Sequence, residues 1–176
     1  MEVRVSNLRK LKQDLLDFQP THVISVLDPD FAERQHLEFT AGIPVLRAHF
    51  FDDDDLTKQR GAVDAYVEDI LRFLRDEVLS TPSARLLVHC HAGASRSPAI
   101  AFAAYCLTME AEHLAFGAML NICNKPWPSE NVVGIVDRML ERDGRMIEAL
   151  RCYADRYPRR YQAYQRLNRR RDLFAC

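Results

Sequence analysis

The sequence predicts an α/β fold: a small, mostly parallel central sheet flanked by helices, with a strand, an anion-binding loop and a helix in succession near its middle. Three observations predict it. Apolar runs of strand length end by residue 89, a strongly periodic helical segment separates two of them, and the chain beyond residue 98 reads as helices broken by turns. Strands alternating with helices early, followed by helices alone, build a layered sandwich around a parallel sheet.

Each element has its own reason. Residues 22–27 (HVISVL) form a short apolar run closed by Asp28-Pro29, and residues 43–50 form a second extended run with Pro44 near its start. Across residues 57–78 the apolar positions Val63, Tyr66, Val67, Ile70, Leu71, Leu74 and Val78 recur at steps of three and four, the stripe of a helix laid on a sheet. Residues 85–89 (RLLVH) read as a buried strand. Residues 98–109 (PAIAFAAYCLTM) are apolar around nearly the whole circumference, which predicts a central helix covered on all sides, with Pro98 at its first position. Helices are further expected over 112–123, 131–140 and 145–157, separated by the breakers Lys125-Pro126-Trp127-Pro128-Ser129 and Asp143-Gly144.

At 176 residues and 48% hydrophobic composition the chain can bury one core, and residues 1–155 are expected to be a single domain. The formal charge of −1 offers no argument for a nucleic-acid partner. The N-terminal residues hold no apolar stretch of signal-peptide length, and the longest weakly polar run is too short to span a bilayer, so a cytoplasmic location without a membrane span is expected. Five widely spaced cysteines with no C-x-x-C pair favour reduced thiols. Residues 156–176 are a basic extension, expected to be helical and packed on or trailing from the domain. It holds seven arginines between Arg156 and Arg171, no acidic residue in that interval, and Tyr157, Tyr161 and Tyr164 among them. A solvated extension is the simpler account; docking of an anionic partner is the functional alternative.

The segment His89-Cys90-His91-Ala92-Gly93-Ala94-Ser95-Arg96-Ser97 lies between a predicted strand and a predicted helix. A loop whose successive backbone N–H groups point inward and which ends at a helix N-terminus is a preformed nest for a phosphate group. Gly93, with Ala92 and Ala94, lets the backbone curl tightly, and Ala92 to Ser95 with His91 supply the lining. The planar fork of Arg96 would give two parallel charge-assisted hydrogen bonds to phosphate oxygens. The same positive surroundings favour Cys90 as a thiolate nucleophile. The Ser97 hydroxyl could hydrogen-bond the sulfur when a phospho-enzyme breaks down, and His89 would support the loop rather than move protons.

This segment resembles the signature H-C-x-x-G-x-x-R-[ST] of the cysteine-dependent protein tyrosine and dual-specificity phosphatases, satisfied at every fixed position by His89, Cys90, Gly93, Arg96 and Ser97. The chain length, the AGASRS filling and the later Asn131, Asp137, Leu140 and Gly144 look most like the small bacterial members. The resemblance implies a phosphatase-type fold and hydrolysis of phosphate monoesters on a phosphorylated protein or a small molecule, through a phospho-cysteine, with no metal and no organic cofactor. In that family an aspartate ahead of the signature protonates the leaving group. The strand ending His49-Phe50-Phe51-Asp52 puts Asp52 in that place, with Asp53 as the alternative and Asp54 and Asp55 as solvated neighbours. The loop lacks the lysines that phosphoinositide phosphatases of this group carry, so His91 is left as a source of positive charge at low pH.

Rival readings are weaker. Zinc binding by His89, Cys90 and His91 is disfavoured because adjacent side chains point apart. Rhodanese-like sulfur transfer lacks a use for the upstream acid and for Arg96-Ser97, and a phosphate-recognition module would not need the complete catalytic set. Cys106 reads as a small core residue, with redox protection of the nucleophile as a lesser alternative. Trp127 reads as a plug at the end of the core rather than as a stacking platform at the site.

Overall fold

The structure is a computed structural model that describes residues 1–34, 37–52 and 61–170, with the side chains at 161, 165 and 167–170 outside the description. Four strands, β1 (Glu2–Asn7), β2 (His22–Leu27), β3 (Val45–His49) and β4 (Arg85–Cys90), form one sheet in the order β1-β4-β2-β3, with every pairing parallel. Eight helices complete the described chain: α1 (Leu11–Phe18), α2 (Pro29–Arg34), α3 (Asp64–Phe73), α4 (Arg96–Cys106), α5 (Glu112–Ile122), α6 (Glu130–Met139), α7 (Arg145–Arg156) and α8 (Pro158–Arg170). The expected α/β sandwich is therefore present, and its sheet is parallel throughout.

Two-residue alternation sorts β4 between two cores. Leu86, Val88 and Cys90 face the larger core, built with α3 to α7, whereas Leu87 faces a smaller cluster with Leu11, Phe18 and Val23. The central helix is as enclosed as its composition predicts: from Ala99 to Ala104 no side chain is more than 1% exposed. It starts two residues earlier than expected, at Arg96, so Pro98 is its third residue rather than its first. This is still within the first turn, where an intrahelical N–H donor is not yet required.

Other boundaries shift for local reasons. Pro44 has no amide to give to the ladder, and β3 begins after it; it nonetheless offers its carbonyl to the Val23 N–H at 3.0 Å. The helix expected over 57–78 begins at Asp64, and its last five residues, Leu74–Val78, widen into one π-turn closed by the Leu79 N–H on the Leu74 carbonyl at 2.9 Å. Residues 2–18 carry β1 and α1 and show no clear hydrophobic periodicity. Arg4 and Arg9 interrupt the apolar pattern there, yet Arg4 lays its guanidinium over the Phe18 ring, 4.6 Å from the centroid.

Asp137 and Gly144 form a structural joint. Asp137 is buried and accepts the Gly144 N–H at 2.7 Å and the Met146 N–H at 2.8 Å, so it caps the N-terminus of α7.

Candidate functional site

In a parallel sheet all strands end on the same edge, and side chains that follow those ends converge. Here Asp28 follows β2, Phe50 to Asp52 follow β3, and the segment from His91 to Ser95 follows β4. Cys90 closes β4 on the large-core side and is 1% exposed. His89, its neighbour, points to the opposite face against Phe39, with ring centroids 5.9 Å apart. The two cannot share a metal, which removes the zinc reading.

The loop is held from outside by its carbonyls. His91 O accepts the Leu8 N–H at 3.2 Å, Ala94 O the Trp127 N–H at 2.7 Å, and Ser95 O the Ser129 N–H at 3.4 Å. In a trans peptide the C=O and the following N–H point opposite ways, and no cis peptide occurs among the described residues. Anchoring these carbonyls outward therefore turns the amides of Ala92, Ser95 and Arg96 inward. Gly93 completes the turn with φ +67°, its N–H 3.3 Å from Cys90 Sγ; a Cβ there would stand 2.8 Å from the Ser6 carbonyl oxygen.

Ser95 occupies the N-cap of α4, but its hydroxyl does not cap the helix. It donates instead to Asp52 Oδ1 at 2.6 Å, leaving the first-turn amides of α4 without a side-chain acceptor at the N-cap. Ser97 Oγ lies 3.2 Å from Cys90 Sγ, both side chains fully buried. The structure brings Cys90, Gly93, Ser95, Ser97 and Asp52 together at this end of the sheet. Asp53, the alternative acid, lies outside the described residues.

Arg96 is 3% exposed. One terminal nitrogen donates to Asp28 Oδ1 at 2.7 Å and to the Phe50 carbonyl at 2.5 Å; the other reaches His91 Nδ1 at 3.1 Å. Its Nε has no hydrogen-bond partner among the described residues and stands 4.0 Å from Asp52 Oδ2. Burial disfavours the charged guanidinium, but Asp52, Cys90 and Asp28 outweigh it and hold its proton more tightly than in a free arginine.

His91 is packed into the site on several sides. Its ring is packed edge-on against Phe31, with centroids 4.8 Å apart, and its Nδ1 faces an Arg96 donor. Burial lowers its pKa; Asp28 and Asp52 pull the other way and Arg96 adds to the lowering. Because a guanidinium can only donate, Nδ1 is the acceptor in this contact, and burial works against the positive charge expected of His91 at low pH. His89 is pushed down to about 4, mainly by burial, partly offset by the Cys90 backbone and reinforced by His91, Arg47 and Arg96. Neither of its ring nitrogens has a hydrogen bond of good geometry among the described residues.

Two site residues escape sequence reasoning. Asp28 looks like the closing residue of a strand, and only the β2–β4 pairing reveals that it ends beside the loop. Tyr164 lies in α8, 112 residues from its partner, and its hydroxyl donates to Asp52 Oδ2. No local pattern signals that contact. Trp127 supports the site through its backbone N–H, while its ring leans toward Tyr153 with centroids 6.4 Å apart. Cys106 is 1% exposed and burial pushes its thiol up to about 12, partly countered by Arg142, in keeping with an inert core thiol.

No protein-family model matches the chain, and no curated protein matches it by sequence. Solved structures match it in fold. The crystal structure of human DUSP28 is 19% identical, with a TM-score of 0.56 over 80% of this chain and 92% of that one. DUSP15 is 18% identical with a TM-score of 0.57, covering 88% and 91%. The human tyrosine phosphatase-like serine/threonine/tyrosine-interacting protein is 21% identical with a TM-score of 0.57, covering 77% and 85%. The fold is that of the dual-specificity phosphatases, as the resemblance of the loop implies.

Proposed function

We propose that this chain is a cysteine-dependent phosphatase that hydrolyses phosphate monoesters, phosphotyrosine foremost and phosphoserine and phosphothreonine as well, through a covalent phospho-cysteine. One observation carries the reading: the buried Arg96 has no hydrogen bond to its Nε among the described residues, where inward-facing loop amides, the uncapped N-terminus of α4 and Cys90 Sγ converge. A buried donor of this kind is costly to leave unmade, and a phosphate oxygen would satisfy it.

In the proposed reaction the Cys90 thiolate attacks phosphorus in line, the P–O bond to the leaving group breaks, and Asp52 in its protonated form gives its proton to the departing oxygen. Loop amides and Arg96 hold the charge on the three equatorial oxygens. Water then attacks the phospho-cysteine, with Asp52 accepting its proton and the Ser97 hydroxyl donating to the departing sulfur. Asp28 and His91 keep Arg96 in place. The chemistry calls for neither a metal nor an organic cofactor.

The protein of this reading is a single phosphatase domain over 1–155 with a basic extension over 156–176, cytoplasmic, acting on a phosphorylated protein or a small phosphomonoester. Among the described residues no helix is long and apolar enough to cross a membrane. The exposed Arg156, Arg159 and Arg166 are the residues available to an anionic partner; the side chains of Arg169 and Arg170, and all of Arg171, lie outside the described residues.

The decisive experiment is turnover of an aryl phosphate by Cys90→Ser. It is expected to lose roughly a thousandfold or more in kcat, and retained turnover would overturn the mechanism. Tight phosphopeptide binding by the unaltered protein without phosphate release would make it a recognition module instead. In the same assay Asp52→Ala is expected to slow turnover and flatten one limb of the pH–rate profile; an unchanged profile transfers the acid role to Asp53.

A further inference from the structure

The hydrogen bond between Tyr164 and Asp52 has a chemical meaning beyond packing. When a phenolate leaves phosphorus and takes a proton from a carboxylic acid, the immediate product is a phenol whose O–H points at the new carboxylate. Tyr164 on Asp52 reproduces that arrangement with a side chain of the protein itself. The second carboxylate oxygen is held by Ser95, so Asp52 is engaged on both oxygens.

The helix that brings Tyr164 there is anchored at its base. The Arg160 guanidinium lies over the Tyr157 ring at 3.7 Å and the Tyr153 ring at 5.2 Å, and it donates to the Tyr153 hydroxyl. Tyr153 in turn donates to the Pro126 carbonyl at 2.7 Å, and the next residue, Trp127, holds the loop through Ala94. Arg160 and Tyr164 are four residues apart and share one face of α8. The basic extension is therefore tied at one end to the wall of the loop and at the other to the carboxylate proposed as the acid.

We infer that α8 is an intramolecular strap that sets Tyr164 in the leaving-group position, so that the aryl end of a substrate must displace Tyr164 from Asp52 before it can react. This rests on the phosphatase reading above. In an in-line displacement the leaving oxygen lies opposite the sulfur, so a group seated at Asp52 stands on the approach to Cys90. The phenol mimics the leaving group rather than the phosphate. Displacement adds to the apparent KM without altering the chemical step.

The test uses the full chain with Tyr164→Ala and, separately, Arg160→Ala, which unpins α8 without touching Asp52. Two readings are taken: kcat and KM for 4-nitrophenyl phosphate, and the rate of Cys90 alkylation by iodoacetamide, resolved from the other cysteines by peptide mass spectrometry. The expected result in both variants is a KM lower by about three- to tenfold, kcat unchanged, and alkylation of Cys90 faster by a similar factor. A fall in kcat confined to Tyr164→Ala, with KM unchanged, would overturn the strap and make Tyr164 a positioning residue for Asp52. Unchanged KM and alkylation in both variants would overturn it as well. Should the unaltered protein release no phosphate at all, the phosphatase reading fails, and the alkylation rates still decide the strap: faster in both variants supports it, unchanged refutes it.

Discussion

Two helix N-termini in this molecule are built from similar parts and end in opposite states. At α7 the buried carboxylate of Asp137 takes the Gly144 and Met146 amides, and nearby Glu112 receives Arg142 at 3.2 Å and Arg145 at 3.1 Å. At α4 the N-cap serine turns its hydroxyl away to Asp52, and the adjacent arginine keeps one donor unpaired. Of all buried side-chain polar atoms in the described residues, those left without a partner are the Arg96 Nε at the start of α4 and, on the opposite face of the sheet, the two ring nitrogens of His89. Native interiors satisfy buried polar groups almost everywhere, so the unpaired Arg96 donor beside the loop marks where a ligand completes the set.

Arg96→Lys should break the α4 side of this comparison most severely. An ammonium cannot replace the fork that reaches Asp28, Phe50 and His91 on one side and a phosphate on the other. Loss of roughly a thousandfold in kcat/KM is expected, about 4 kcal/mol of transition-state stabilisation, checked by steady-state kinetics. A loss below tenfold would mean that Arg96 is structural, like Arg142. Asp137→Ala should break the α7 side in the complementary way. Two amides lose their acceptor, costing about 3 kcal/mol and lowering the melting temperature by roughly 10 °C. The folded fraction should keep its kcat/KM, which calorimetry and kinetics at low temperature can separate.

The legibility of the chain in its sequence follows the same division. The strands at 22–27 and 85–89 and the enclosed helix after the loop were readable, because burial on all sides leaves an uninterrupted apolar run. The residues from Cys90 to Ser97 were readable because one turn of backbone gathers them, so spacing in sequence is spacing in space. Strand β1 was not, since an edge strand with Arg4 over Phe18 carries no clean alternation. Asp28 was hidden because its role depends on β2 lying beside β4, a fact of sheet order rather than of local pattern. Tyr164 was hidden more deeply still, in a basic segment whose composition suggests solvent. The lowered pKa of His91 comes from burial and from Arg96 against the opposing pull of Asp28 and Asp52, so composition could not predict it.

His89 supplies the smallest and sharpest probe of whether the loop segment is held under polar strain that α7 lacks. Its folded-state pKa, about 4, lies below the usual histidine value of 6.5, so between these values the unfolded chain binds a proton that the folded chain does not. Stability contributed by this group is therefore complete above pH 6.5 and falls as the pH drops toward 4. Between pH 7 and pH 5 the loss is about 2 kcal/mol from this residue alone. His22 and His91 are lowered in the same direction, so the measurement must isolate one ring. Urea unfolding of the unaltered protein and of His89→Asn at both pH values does so: the substituted chain should be less stable at pH 7 and should lose about 2 kcal/mol less on acidification. Equal losses in the two chains would show that the buried ring is protonated at little cost, and that the segment around Cys90 is as well satisfied as the capped end of α7.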